Sequence, residues 1–103
     1  MQTSNRQDQD RAAPRLLRLA PEDNVAVAVV AIAAGETVVL EGRPVTAAQH
    51  IPAGHKLAVA AIAAGQKVVK YGLPIGSATC AIDAGCHVHT HNLKSDHLPE
   101  GEA

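Results

Sequence analysis

Apolar and polar positions along the middle of this chain follow short bursts, each closed by a turn signal. Apolar β-formers (Val38-Val39, Leu57 and Val59, Val68-Val69, Val88) each follow a phrase of the form Ile-x-Ala-Gly. Isoleucine is β-branched and suits a half-buried pleated surface. The Ala-Gly pair lets the chain reverse, because glycine adopts positive φ at little cost. Glu41-Gly42, Tyr71-Gly72 and the prolines Pro44 and Pro74 mark further turns. Segments between turns run about 4–8 residues, strand length and short for helices. The pattern predicts an all-β domain. Residues 58–64 are Ala-rich and intrinsically favour helix, but only short helical turns are expected, one of them near residues 46–50.

The second feature is repetition. A shift of 30 lays residues 25–45 on residues 55–75, and 11 of the 21 pairs are identical. The shared skeleton runs from Ala28/Ala58 through Ile32/Ile62 and Gly35/Gly65 to Gly42/Gly72 and Pro44/Pro74. One residue of slippage later, Ile51-Pro52-Ala53-Gly54 matches Ile82-Asp83-Ala84-Gly85, so the phrase occurs four times. Such agreement is an internal duplication, and it predicts pseudo-twofold symmetry. The expected folded unit is 21–93, flanked by a polar, flexible arm (1–20) and tail (94–103). Within the arm, Leu16-Leu17-Arg18-Leu19 is an apolar patch that either docks or is solvated.

Composition sharpens this picture. Apolar residues make up 47% of the 103, yet there is one Tyr and no Phe or Trp. Large aromatics normally supply much of a small core's buried area, so a domain of Ala, Val, Ile and Leu is expected to be marginal alone and to use a partner surface. The net charge of −1 gives no footprint for nucleic acid or an anionic membrane. No apolar run approaches the roughly 20 residues of a membrane span. The polar N-terminus is unlike a secretory signal, so a cytoplasmic location is expected. There Cys80 and Cys86 would be free thiols. Self-association is left open.

The six histidines carry the chemical interest. In His87-Val88-His89-Thr90-His91, strand alternation would put three imidazoles on one face. Such a face can hold a divalent metal or handle protons near neutral pH. Incidental surface histidines are the competing explanation. His55 follows Gly54 and corresponds through the duplication to Cys86, so symmetry predicts that it approaches residues 87–91. His50 and His97 have no comparable context and are expected to be solvated. No nucleophile–base–orienter set, phosphate loop or dinucleotide fingerprint is present.

The repeated Ile-x-Ala-Gly phrases resemble the SAF domain, a β-clip module. More specifically, Asp23-Asn24-Val25-Ala26-Val27-Ala28, Gly54-His55-Lys56, Lys70-Tyr71-Gly72-Leu73-Pro74-Ile75-Gly76 and His89-Thr90-His91-Asn92-Leu93 resemble the N-terminal part of the altronate and galactarate dehydratase family. The same module occurs as the small subunit of sulfolactate sulfo-lyase. Cys86 departs from the bulkier residue usual at its position in that family.

The resemblance implies elimination chemistry: loss of a proton α to a carboxylate and of a β-substituent, water or sulfite, from a small hydroxy acid. It implies an accessory subunit, inactive alone, of a lyase whose large catalytic subunit completes the site. A divalent metal, iron(II) in that family, would stabilise enediolate-like charge. His55, His89, His91 and Asn92 are the candidate catalytic positions carried over, with His89 and His91 as candidate metal ligands. The alternative is a free-standing SAF module that binds a small acid or a protein without catalysis.

Overall fold

The computed structural model describes residues 14–96. The expectations placed on residues 1–13 and 97–103, including a solvated His97, lie outside the described residues. The described part is all-β, without a helix of any kind. Its strands are β1 (Leu16–Leu17), β2 (Val25–Ala28), β3 (Thr37–Leu40), β4 (Arg43–Thr46), β5 (Lys56–Ala58), β6 (Lys67–Lys70), β7 (Leu73–Ala78), β8 (His87–Val88) and β9 (Leu93–Lys94). They form a four-stranded sheet β1-β2-β5-β8, a hairpin β3-β4 and a three-stranded sheet β6-β7-β9. All pairings are antiparallel. This is the architecture expected of a β-clip. No helix among the described residues is long and apolar enough to cross a membrane.

The four Ile-x-Ala-Gly phrases are four copies of one turn. Each closes with a hydrogen bond from the residue after glycine to the carbonyl of the residue after isoleucine: Glu36 to Ala33 (3.0 Å), His55 to Pro52 (3.0 Å), Gln66 to Ala63 (2.9 Å) and Cys86 to Asp83 (3.1 Å). The glycines have φ of 83°, 85°, 83° and 91°, the sign that a type II turn requires at its third position. The four isoleucines are buried and bridge in pairs, Ile32 with Ile51 and Ile62 with Ile82. Burying each is worth roughly 1.5–3 kcal/mol. The hairpin turns at Glu41-Gly42 and Tyr71-Gly72 have positive φ at both residues, the type I′ geometry that matches strand twist.

The one-residue slip of the duplication has a structural cause. In the first hairpin, Val38 and Val39 pair with Val45 and Pro44. In the second, Val69 pairs with Pro74 but Val68 pairs with Gly76. Ile75 is therefore the extra residue of a β-bulge, and the offset between copies grows from 30 to 31 at this point.

Two small cores flank the four-stranded sheet. One holds Ala28, Ile32, Val38, Ala47, Ile51 and Leu57. The other holds their duplicates Ala58, Ile62, Val68, Ala78, Ile82 and Val88. Leu16 packs into the first core and pairs through β1 with β2, so the apolar patch at 16–19 docks at least in part. The ordered unit extends beyond 21–93 at both ends, since β9 pairs with β7.

The helical turn expected near residues 46–50 is not formed. Thr46 ends β4, the Ala47 N–H donates to the Glu36 carbonyl (2.9 Å), and the Ala48 N–H donates to the Gly85 carbonyl (2.9 Å). Cross-chain partners take the donors that a helical turn would use, and they outweigh alanine's propensity of well under about 1 kcal/mol per residue.

Asp23 and Asn24 bind the two copies together. Asp23 is 4% exposed. Its Oδ1 accepts the Gly72 N–H (2.7 Å), and Oδ2 accepts the N–H groups of Leu19 (3.2 Å) and Ala20 (3.1 Å). Burial alone would push its pKa up, but these backbone donors outweigh it and hold the carboxyl below its ordinary value. Asn24 accepts the Val69 N–H (2.8 Å) and donates to the Lys67 carbonyl (3.0 Å).

Two outcomes follow for chemical denaturation. Asp23→Asn, which turns one acceptor into a donor facing N–H groups, is expected to cost about 1–3 kcal/mol at neutral pH. Because the folded pKa is depressed, the wild-type advantage is complete above the ordinary carboxylate range near about pH 4. It is lost as pH falls through the lower folded value, so the two proteins converge in acid. The second outcome separates duplicated glycines. An alanine Cβ at Gly35 meets nothing within 4 Å, whereas at Gly85 it would lie 2.1 Å from the Thr46 carbonyl oxygen. Gly35→Ala is expected to cost about 1–2 kcal/mol from φ alone. Gly85→Ala adds overpacking of about 1–3 kcal/mol.

Candidate functional site

The imidazoles gather where β5 begins and its antiparallel neighbour β8 ends. β5 follows the second Ile-x-Ala-Gly turn and β8 follows the fourth, so both strands leave equivalent turns. In their register Leu57 opposes His87 and Lys56 opposes Val88. One step past the strand end, His55 comes opposite His89. Cross-strand neighbours on one face come within side-chain reach, and these two rings stack with centroids 4.2 Å apart. His55 Nδ1 and His87 Nε2 share a hydrogen bond of 2.8 Å, one ring donating and the other accepting according to tautomer. The His87 ring lies 5.4 Å from that of His89, nearly parallel, and 5.3 Å from that of His91, tilted. All four rings expected to approach one another do so.

Strand alternation is only part of the reason. β8 ends at Val88, and residues 89–92 form a turn. Asn92 shapes that turn from beneath. It is 6% exposed. Its Oδ1 accepts the His89 N–H (2.9 Å), its Nδ2 donates to the His87 carbonyl (2.9 Å), and its own N–H donates to the His89 carbonyl (3.0 Å). Both amide atoms are thus committed to the backbone that carries His87 and His89. Asn92 stands under the rings and His91 is exposed beside them. His50 is likewise exposed.

Gln49 completes the support: its Oε1 accepts the His87 N–H (3.1 Å). β8 lies at the edge of its sheet, and Gln49 and Asn92 together satisfy both backbone groups of His87. Nothing local in the sequence marks Gln49 for this role, since its partner lies 38 residues away. His87 was legible only as one member of the alternation. The structure makes it the centre of the cluster, in contact with the other three rings.

The electrostatics favour the neutral form of His87 and His89. Burial lowers the His87 pKa first, with the neighbouring His55, His91 and His89 and then Lys56 adding to it. Burial also leads the lowering at His89, followed by His55, Lys56 and His91. Neutral imidazoles are the form that binds metal or accepts a proton.

One nitrogen from each of His55, His87 and His89 lies within 4.8 Å of the others. Metal–nitrogen bonds of about 2.0–2.1 Å place tetrahedral ligand nitrogens about 3.3 Å apart. His55 Nδ1 and His87 Nε2 stand 2.8 Å apart, a little under this value, and the trio's nitrogens all lie within 4.8 Å of one another. The donor set fits a borderline divalent ion such as zinc or iron. Of the candidate ligands expected from sequence, His89 belongs to this trio and His91 stands outside it. Beside His89 lies a depression of about 330 Å³ lined by Lys56, Ile75, His89, Thr90, Leu93 and Ser95. Cys86 is a free, half-buried thiol that packs on the second core, and Cys80 is free and exposed.

These features fall within regions shared with known proteins. Over 74 residues the chain is 49% identical to altronate dehydratase of Escherichia coli (strain K12), an alignment covering 72% of this chain and 15% of that enzyme. The chain therefore corresponds to a small fraction of that relative's length. A family model described as the altronate/galactarate dehydratase SAF domain matches residues 14–96, a span containing every described strand and the whole imidazole cluster. On that match, the chain belongs to the altronate/galactarate dehydratase SAF domain family.

Proposed function

We propose that this chain is the accessory module of a hydroxy-acid lyase and offers the His55–His87–His89 cluster to a site completed by a larger catalytic body. The carrying observation is the cluster: three imidazoles whose nitrogens converge within 4.8 Å on a partly exposed rim. The relation to a dehydratase of which the chain matches 15% supports a division of labour. So does the thin, aromatic-poor core.

The reaction would be elimination from a small hydroxy acid. A base takes the proton α to the carboxylate, the C–H pair becomes the C=C bond, and the β-hydroxyl leaves with a proton as water. The enol then tautomerises to a 2-keto acid. In the sulfolactate case sulfite would leave instead. A divalent metal, iron(II) by family, would supply positive charge against the enediolate-like oxygens, with His55, His87 and His89 holding it. His91, exposed beside His87, would contact substrate or move a proton. Asn92 and Gln49 are positioning residues that fix the backbone of the cluster. The module would act in the cytoplasm, where Cys80 and Cys86 remain thiols.

The chain alone is expected to show no turnover of altronate, galactarate or sulfolactate. Added to a dehydratase body lacking its own SAF segment, it should restore turnover, and His55→Ala or His89→Ala should lower that turnover by at least about 100-fold. Activity of the isolated chain would sink the accessory role, and failure to associate with any lyase body would favour the free-standing binding module. Metal affinity gives a readout independent of activity. In anaerobic calorimetry, iron(II) binding should strengthen from about pH 6 to about pH 7.5 as the imidazoles lose protons. His87→Ala should weaken it at least about tenfold, and Asn92→Ala by roughly 10–100-fold through loss of ligand orientation.

A further inference from the structure

We infer that Lys56, at the rim of the depression beside His89, is the residue that seats the substrate's carboxylate. This rests on the hydroxy-acid reading above and assigns its anion-binding group. The depression has an apolar floor of Ile75 and Leu93 and a polar rim of Lys56, His89, Thr90 and Ser95. At about 330 Å³ it suits a small acid, near the low end of ligand-sized pockets.

Lys56 is half-buried at the first position of β5, directly after His55. Among the described residues the acids near other cations are already matched: Glu36 with Arg15, Glu41 with Arg18 and Asp96 with Lys67. No described carboxylate pairs with Lys56. A half-buried ammonium without an anion is costly, and a carboxylate bound there would relieve that cost through a charge-assisted hydrogen bond.

The geometry links the two halves of the site. Lys56 opposes Val88 in the β5–β8 register, so it follows one ring of the cluster in sequence and faces the strand carrying another. An acid held by Lys56 would present its α and β carbons towards His89. Another depression among the described residues, about 360 Å³, is lined in part by Arg18 and Arg43. There Arg18 is already committed to Glu41 and to the carbonyls of Ala20 and Pro21.

The test is a ¹⁵N NMR titration of the full chain with D-glycerate, and in parallel with glycerol and with sodium chloride at matched ionic strength. Glycerate should give saturable shifts at Lys56, His89, Thr90 and Leu93, and the two controls should not. Lys56→Gln should weaken glycerate binding about tenfold or more. Lys56→Arg should stay within about threefold of wild type because the charge is kept, and Arg43→Gln should change nothing. Unchanged binding by Lys56→Gln, or equal shifts from glycerol or chloride, would overturn the assignment. Failure of the lyase reading looks different. Glycerate binding through Lys56 with no turnover restored to a lyase body would keep the subsite and remove the reaction. Restored turnover with an unaltered KM in Lys56→Gln would do the reverse.

Discussion

Everything in this domain depends on a turn whose glycine amide reaches across to a strand end. Gly54 donates to the Ala28 carbonyl and Gly85 to the Ala58 carbonyl, both at 2.7 Å. Positive φ aims the amide, and an L side chain at Gly85 would strike the Thr46 carbonyl. The bonds return each segment to the central sheet, so β2, β5 and β8 lie side by side although some 30 residues separate them in the chain. Without aromatic side chains the protein has little apolar area with which to enforce such long-range pairing. Repeated backbone hydrogen bonds therefore do a large share of that specification.

Interleaving of the two copies explains both the stability and the site. Val25 of the first copy packs in the second core. The second core is therefore not closed by the second copy alone. Asp23 and Asn24 add polar ties from the first copy to Gly72, Lys67 and Val69 of the second. Antiparallel pairing sets the start of β5, just after the second turn, against the end of β8, which is why His55 meets histidines 32 or more residues away. The symmetry is broken in chemistry at this place: where one turn ends in His55, its duplicate ends in Cys86. The duplicated scaffold has diverged so that one rim carries the imidazoles.

The rim owes its order to residues that are chemically quiet. Asn92 and Gln49 satisfy the edge-strand backbone at His87, which also discourages pairing of that edge with another strand. Close packing of four imidazoles lowers the proton affinity of the central ones, favouring the ligand and base form. The adjoining depression places Lys56 beside His89.

The amino-acid sequence by itself determined the all-β class, the four turns, both hairpins and the duplication. These rest on local preferences: positive φ at glycine, fixed φ at proline, and β-branched residues on pleated surfaces. It also marked His55, His89 and His91, because alternation and duplication are readable along the chain. Tertiary structure decided the rest. Alanine's helix propensity at residues 46–50 gave way to the carbonyls of Glu36 and Gly85, partners invisible locally. The docking of Leu16, the central place of His87, the supporting roles of Gln49 and Asn92 and the opening beside Lys56 all depend on strands brought together from distant positions. Hydrogen bonds and packing act through space, and a linear pattern records only the preferences that neighbours in the chain can express.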